Sequence, residues 1–191
     1  MFVKVFDQLA AARGAMEMLA REFDAEPLTP SEAMRTLDEL AVIGRVVDGL
    51  VSRVAKRLAD SGAAALDGER SADVMIARRL GVACREVRAA IETARKLDEL
   101  PATDMAVRRG DLSARQAQMI VDAASCNPGA EQQLLETAKH GLVPLRDACV
   151  AARAEVEDAS ARARRQRRQR NLRMWTDADG MVAGAFRGPA S

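Results

Sequence analysis

The sequence predicts a mainly α-helical fold: a multi-helix bundle of seven or eight helices, one of them long, closed by a short C-terminal β-hairpin. Ala, Leu, Val, Met and Arg dominate, whereas aromatic residues make up 3% of the chain, with no Tyr and one Trp. Side chains of this kind keep most of their rotamer freedom in a helix. Gly and Pro recur at intervals that match helix ends, and capping residues stand just inside those breaks.

The first segment, about Val3 to Phe23, reads as an amphipathic helix that stops before the turn Asp24-Ala25-Glu26-Pro27. Thr29-Pro30-Ser31-Glu32 then gives a complete helix start. Thr29 caps, Pro30 takes the first helical position and Glu32 closes a capping box. Leu40, Ile43, Val47, Leu50 and Val54 follow at alternating spacings of three and four, a coiled-coil-like seam on a helix running to about Ala59. Such a seam needs a partner. The N-terminal helix is the nearest candidate, and a second copy of the chain is the alternative.

Ser61-Gly62 ends the long helix, and the stretch to Arg70 reads as a small-residue linker. Further helices are predicted over Ala72 to Leu80, Arg85 to Leu100, Ala102 to Arg109, Ala114 to Ser125, Gly129 to Lys139, and Pro144 to roughly Arg168. Ser113 with Gln116 forms a second capping box. Asn171 to Trp175 and Met181 to Phe186 read as two strands around a turn that contains Gly180. The domain organisation expected is a long-helix hairpin over residues 1–60, a multi-helix region over 71–170, and a hairpin over 171–187 leading to a C-terminal region that is absent.

The chain has 29 basic and 28 acidic side chains, yet seven arginines fall between Arg162 and Arg173 with no acidic residue among them. Without those seven the balance is 22 basic to 28 acidic. Charge gathered in this way builds a local field rather than a generally adhesive surface. Guanidinium groups bind phosphate bidentately and release condensed counterions, so a nucleic-acid backbone is the first reading. A solvated helix end and an acidic protein surface are the alternatives. The scarcity of aromatic rings argues against a base-stacking platform for single strands, which leaves double-stranded DNA as the expected partner. Arg162, Arg164, Arg165, Arg167, Arg168 and Arg170 are the candidate phosphate contacts.

A second candidate lies between Asp73 and Glu92. Ala77 and Gly81 have the spacing of a helix-turn-helix unit, with Ile76, Leu80, Val82 and Val87 expected to supply its apolar contacts. Its second helix would present Arg85, Arg88, Ala89 and Glu92 to a major groove. Ala83 stands where such units usually carry a Ser or Thr cap, and two core helices joined by a Gly turn would look much the same. The segment from Arg108 to Ala117 has a weaker likeness to the turn of partition-type DNA-binding proteins.

Catalysis finds little support. His140 is the only histidine, and its spacings to Cys126 and Cys149 match no common metal site. Asp177 and Asp179 before Gly180 lack the further ligands and closing Glu of a calcium loop. Phosphate loops and nucleophile elbows are absent. No catalytic residue, metal site or cofactor is therefore expected. The three scattered cysteines fit reduced thiols in the cytoplasm. No stretch reaches the ~20 apolar residues that span a bilayer, so no membrane association is expected.

Four stretches carry a family likeness: Ala77-Arg78-Arg79-Leu80-Gly81-Val82, Leu97-Asp98-Glu99-Leu100-Pro101-Ala102-Thr103, the run from Gly110 to Ala117, and Leu172-Arg173-Met174-Trp175-Thr176-Asp177-Ala178-Asp179-Gly180-Met181. From about Glu32 to Phe186 the chain resembles the 13E12-repeat family of actinobacterial proteins, also known as domain of unknown function 222. The resemblance implies a context in which an HNH nuclease module follows the helical region. A single histidine could not supply that module, so the expectation is a non-catalytic DNA-binding and targeting region, truncated before the nuclease. The competing expectation is a scaffold without nucleic-acid affinity, self-associating as a homo-oligomer through the Leu40 to Val54 seam.

Overall fold

Capping chemistry sets the first boundary in the structure, a computed structural model that describes residues 2–156, 164, 167–176 and 178–187. Helix α1 spans Phe2–Glu22, and helix α2 spans Pro30–Asp60, about 46 Å at 1.5 Å per residue. The Thr29 N–H donates to Glu32 Oε2 at 2.9 Å while the Glu32 N–H donates to Thr29 Oγ1 at 3.3 Å, the reciprocal box expected from sequence. By its contacts the chain divides into two units, Met1–Ile43 and Gly44–Ser191.

The second unit holds the core. It contains the rest of α2, then α3 (Ala63–Leu66), α4 (Ala72–Leu80), α5 (Cys84–Lys96), α6 (Pro101–Arg109), α7 (Ala114–Ala124), α8 (Glu131–Ala138) and α9 (Leu142–Val156), with short 3-10 turns at Leu97–Glu99 and Pro128–Ala130. Nine α-helices are thus present among the described residues. The ninth is α3, a single turn inside the stretch expected to be a linker. Its run of Ala residues carries the best intrinsic helix propensity, enough for one turn after Gly62 enters at φ 70°.

Helix α7 is the centre of the larger apolar cluster. Ile120, Val121, Ala123 and Ala124 are completely buried and pack with Leu134 of α8 and with Leu145 and Cys149 of α9. Each branched side chain removed from water in this way contributes roughly 1.5–3 kcal/mol. The reciprocal box at Ser113 and Gln116 starts α7 as predicted. Thr103 is the buried polar residue of this cluster. Its N–H and hydroxyl both donate to Glu131 Oε1 at 2.8 Å, so α8 supplies the cap that α6 lacks locally.

A smaller cluster forms where Ala55 of α2 meets Met75, Ile76 and Ala77 of α4 and Val87 and Ile91 of α5. Strands β1 (Asn171–Thr176) and β2 (Val182–Arg187) pair antiparallel from Asn171 opposite Arg187 to Thr176 opposite Val182. Leu172, Met174, Trp175, Val182 and Phe186 of this hairpin are all exposed. The five seam residues Leu40, Ile43, Val47, Leu50 and Val54 are exposed as well. No helix among the described residues is long and apolar enough to cross a membrane.

Candidate nucleic-acid interface

Small residues make the helix-turn-helix geometry possible. Ala77 is buried at the contact of α4 and α5, and Gly81 reverses the chain at φ 68°. The N–H groups of Gly81 and Val82 both donate to the Ala77 carbonyl, at 2.9 and 3.2 Å, which satisfies the end of α4. Ala83 begins α5 from an extended conformation without a side-chain cap.

Two expected contacts differ. Ile76 and Val87 are buried as the pattern required, but Leu80 and Val82 are exposed. The turn directs them to the wall of an open groove of about 470 Å³, shared with Leu97, Val107 and Leu112 and rimmed by Arg45 and Arg115. They are therefore groove residues rather than part of the crossing.

On α5, Arg85 and Arg88 are both exposed, with different surroundings. Arg88 Nε donates to Asp73 Oδ2 at 2.5 Å, tying α5 to α4. The Asp73 carboxyl is held below its ordinary pKa by the Ser71 side chain and by Arg88, against the opposing effect of burial. Arg85 makes no ion pair with a described carboxylate.

The same contrast runs through the molecule. Arg78 contacts Glu69 at 2.6 Å and Asp67 at 3.3 Å, and Arg79 reaches Asp67 at 2.7 Å. Hydrogen bonding from Arg79 lowers the Asp67 pKa. Arg95 pairs with Asp60 and Glu92, both at 2.8 Å. Arg53 and Arg108 converge on Asp104 at 2.5 and 2.7 Å. Burial raises the Asp104 pKa, yet Arg108 and Arg53 together bring it below the ordinary carboxylate value. Arg109 pairs with Asp111 at 2.8 Å, so the two arginines that end α6, Arg108 and Arg109, are neutralised locally.

The arginine run is arranged otherwise. Arg164, Arg167 and Arg168 are helical and exposed, and Arg170 is exposed just before β1. Arg167, Arg168 and Arg170 make no ion pair with a described carboxylate. Arg162 and Arg165 lie outside the described residues. Sequence reasoning named the arginines but missed Asp67, Asp73 and Asp104. Asp73 and Arg88 are fifteen residues apart and on different helices, which is no helical spacing.

Among the described residues no three His, Cys, Asp or Glu side chains are grouped to hold a metal. His140 is exposed, and its N–H donates to the Thr137 carbonyl at 3.0 Å. Cys149 is buried in the α7–α9 contact, where burial raises its pKa. No curated protein and no solved structure matches the chain. The motifs from Ala77 to Met181 nevertheless lie in one recognisable order, and residues 34–186 match the family described as Domain of unknown function (DUF222), to which this chain belongs.

Proposed function

We propose that the chain is a non-catalytic, cytoplasmic DNA-binding and targeting region that acts for an HNH-type nuclease module. One observation carries the proposal: carboxylates neutralise the arginines of α4 and α6, whereas Arg167, Arg168 and Arg170 are exposed with no described carboxylate beside them. Cations without counter-charges are the ones able to exchange condensed counterions for phosphate. In this reading the run at Arg162, Arg164, Arg165, Arg167, Arg168 and Arg170 tracks the backbone of a duplex. Helix α5 adds Arg85, whereas Arg88, expected beside it, is paired with Asp73 and by the same criterion contributes less. The nuclease context rests on the family resemblance alone.

Titrating a labelled duplex with the full chain at stepped salt concentrations tests the binding. Affinity that falls steeply with salt is expected, and affinity indifferent to salt contradicts the reading. The same protein should leave DNA intact with magnesium, manganese or zinc. Hydrolysis of a phosphodiester needs preorganised metal ligands and a general base, and His140 is the only histidine. Metal-dependent cleavage that disappears in His140→Ala would make these residues an enzyme. The scaffold reading draws on the exposed seam of α2; a concentration-dependent oligomer with no DNA affinity would favour it.

A further inference from the structure

Residues 4–43 contain no buried side chain, although they include α1 and the first half of α2. Helices in proteins gain most of their stability from packing an apolar face rather than from intrinsic propensity. Helix α1 carries a face suited to such packing. Val5, Leu9, Ala12, Met16, Leu19 and Phe23 follow one another at spacings of four, three, four, three and four, so they form a continuous heptad stripe. The five large residues of that stripe are each 37–53% exposed.

We propose that this stripe is the contact between two copies of the chain. The α1 stripes pack against each other, and the apolar residues of the first half of α2 (Met34 and Leu37 foremost) flank them. Three features favour a second copy as the occupant. A heptad stripe is self-complementary, because its residues serve equally as knobs and as walls of holes. The charges of α1 are three basic and three acidic, Lys4, Arg13 and Arg21 with Asp7, Glu17 and Glu22, so two identical helices do not repel. Arg13 and Glu17 already lie within 3.6 Å on the helix's own surface.

The area is also sufficient. Besides Met18, which lies off the stripe, eleven large apolar side chains between Val5 and Ile43 are exposed. At roughly 60 Å² of coverable apolar surface each, they supply about 660 Å² per protomer and about 1,300 Å² for a pair, near the lower end of the ~1,200–2,000 Å² of a standard stable interface. This pairing does not depend on DNA binding, and its test needs no DNA.

The experiment is the mass of the full-length chain in solution, by light scattering at micromolar concentration. The parent should be a dimer. Leu9→Glu with Leu19→Glu, on the stripe, should halve the mass. Ala11→Glu with Met18→Glu adds the same charge off the stripe and should leave the dimer intact. Leu50→Glu with Val54→Glu, on the α2 seam, should leave it intact too. Circular dichroism of each variant reports whether the second unit is still folded, and the comparison is made among variants that retain it. A monomeric parent, which would assign the face to another protein, overturns the proposal. So does a dimer that survives the stripe changes, or one lost equally to the off-stripe or seam changes.

Discussion

Arg88 on α5 donates through Nε to Asp73 on α4 at 2.5 Å, and the two differ in burial: the arginine side chain is 68% exposed, the aspartate 12%. The pair therefore acts as a strap across the helix-turn-helix as well as a surface charge. Removing Arg88 leaves a largely buried carboxylate short of one partner. Arg88→Ala should cost about 1 kcal/mol in urea unfolding, more than the ~0.5 kcal/mol of an ordinary surface change. A double-mutant cycle with Asp73→Asn should show positive coupling. Additive losses would mean that the strap is absent in solution.

Three carboxylates, Asp67, Asp73 and Asp104, have folded pKa values below their ordinary ones. Below the unfolded value of about 3.9 the unfolded chain binds more protons than the native one. Their contribution is thus present above that pH and lost as pH falls through the folded values. Stability should be nearly level from about pH 7 to 5 and decline below about pH 4. Asp104→Asn should shallow that decline. An equal acid slope in the variant and the parent would show that Asp104 does not titrate as described.

Backbone proximity separates two glycines of the same helix. A Cβ at Gly49 would lie 3.0 Å from Val107 Cγ1 and 3.4 Å from the Val107 carbonyl oxygen, whereas one at Gly44 would meet nothing within 4 Å. Gly44→Ala should stabilise the chain by about 0.5–1 kcal/mol through helix propensity. Gly49→Ala should destabilise it by about 1–3 kcal/mol, as should Ala77→Leu at the α4–α5 crossing. Thermal melts of the three variants check the signs. Equal effects at Gly44 and Gly49 would contradict the close approach of α2 to α6.

Local chemistry was readable in the sequence, and tertiary chemistry was not. The capping boxes at Thr29 and Ser113, and the left-handed glycines at positions 81 and 110, depend on residues within five positions of one another. The Glu131 cap on Thr103 joins residues twenty-eight apart and leaves no periodic trace. The exposure of Leu80 and Val82 was hidden for a related reason. An apolar residue beside a turn looks the same in sequence whether it enters the core or lines a groove. Of the candidate site, the position of the arginines was legible, but not which of them the fold neutralises, because their carboxylate partners lie on other elements.

The central claim, that the arginine run binds a phosphate backbone, is tested most directly by the salt dependence of duplex affinity in a variant with Arg164, Arg165, Arg167 and Arg168 changed to Gln. Each phosphate contact contributes roughly 0.9 to the slope of log affinity against log salt. Losing four should flatten the slope by about 3.6 and remove most of the non-specific affinity, while helical content and melting temperature stay near those of the parent. Equal affinity and equal slope in the two proteins would contradict the account.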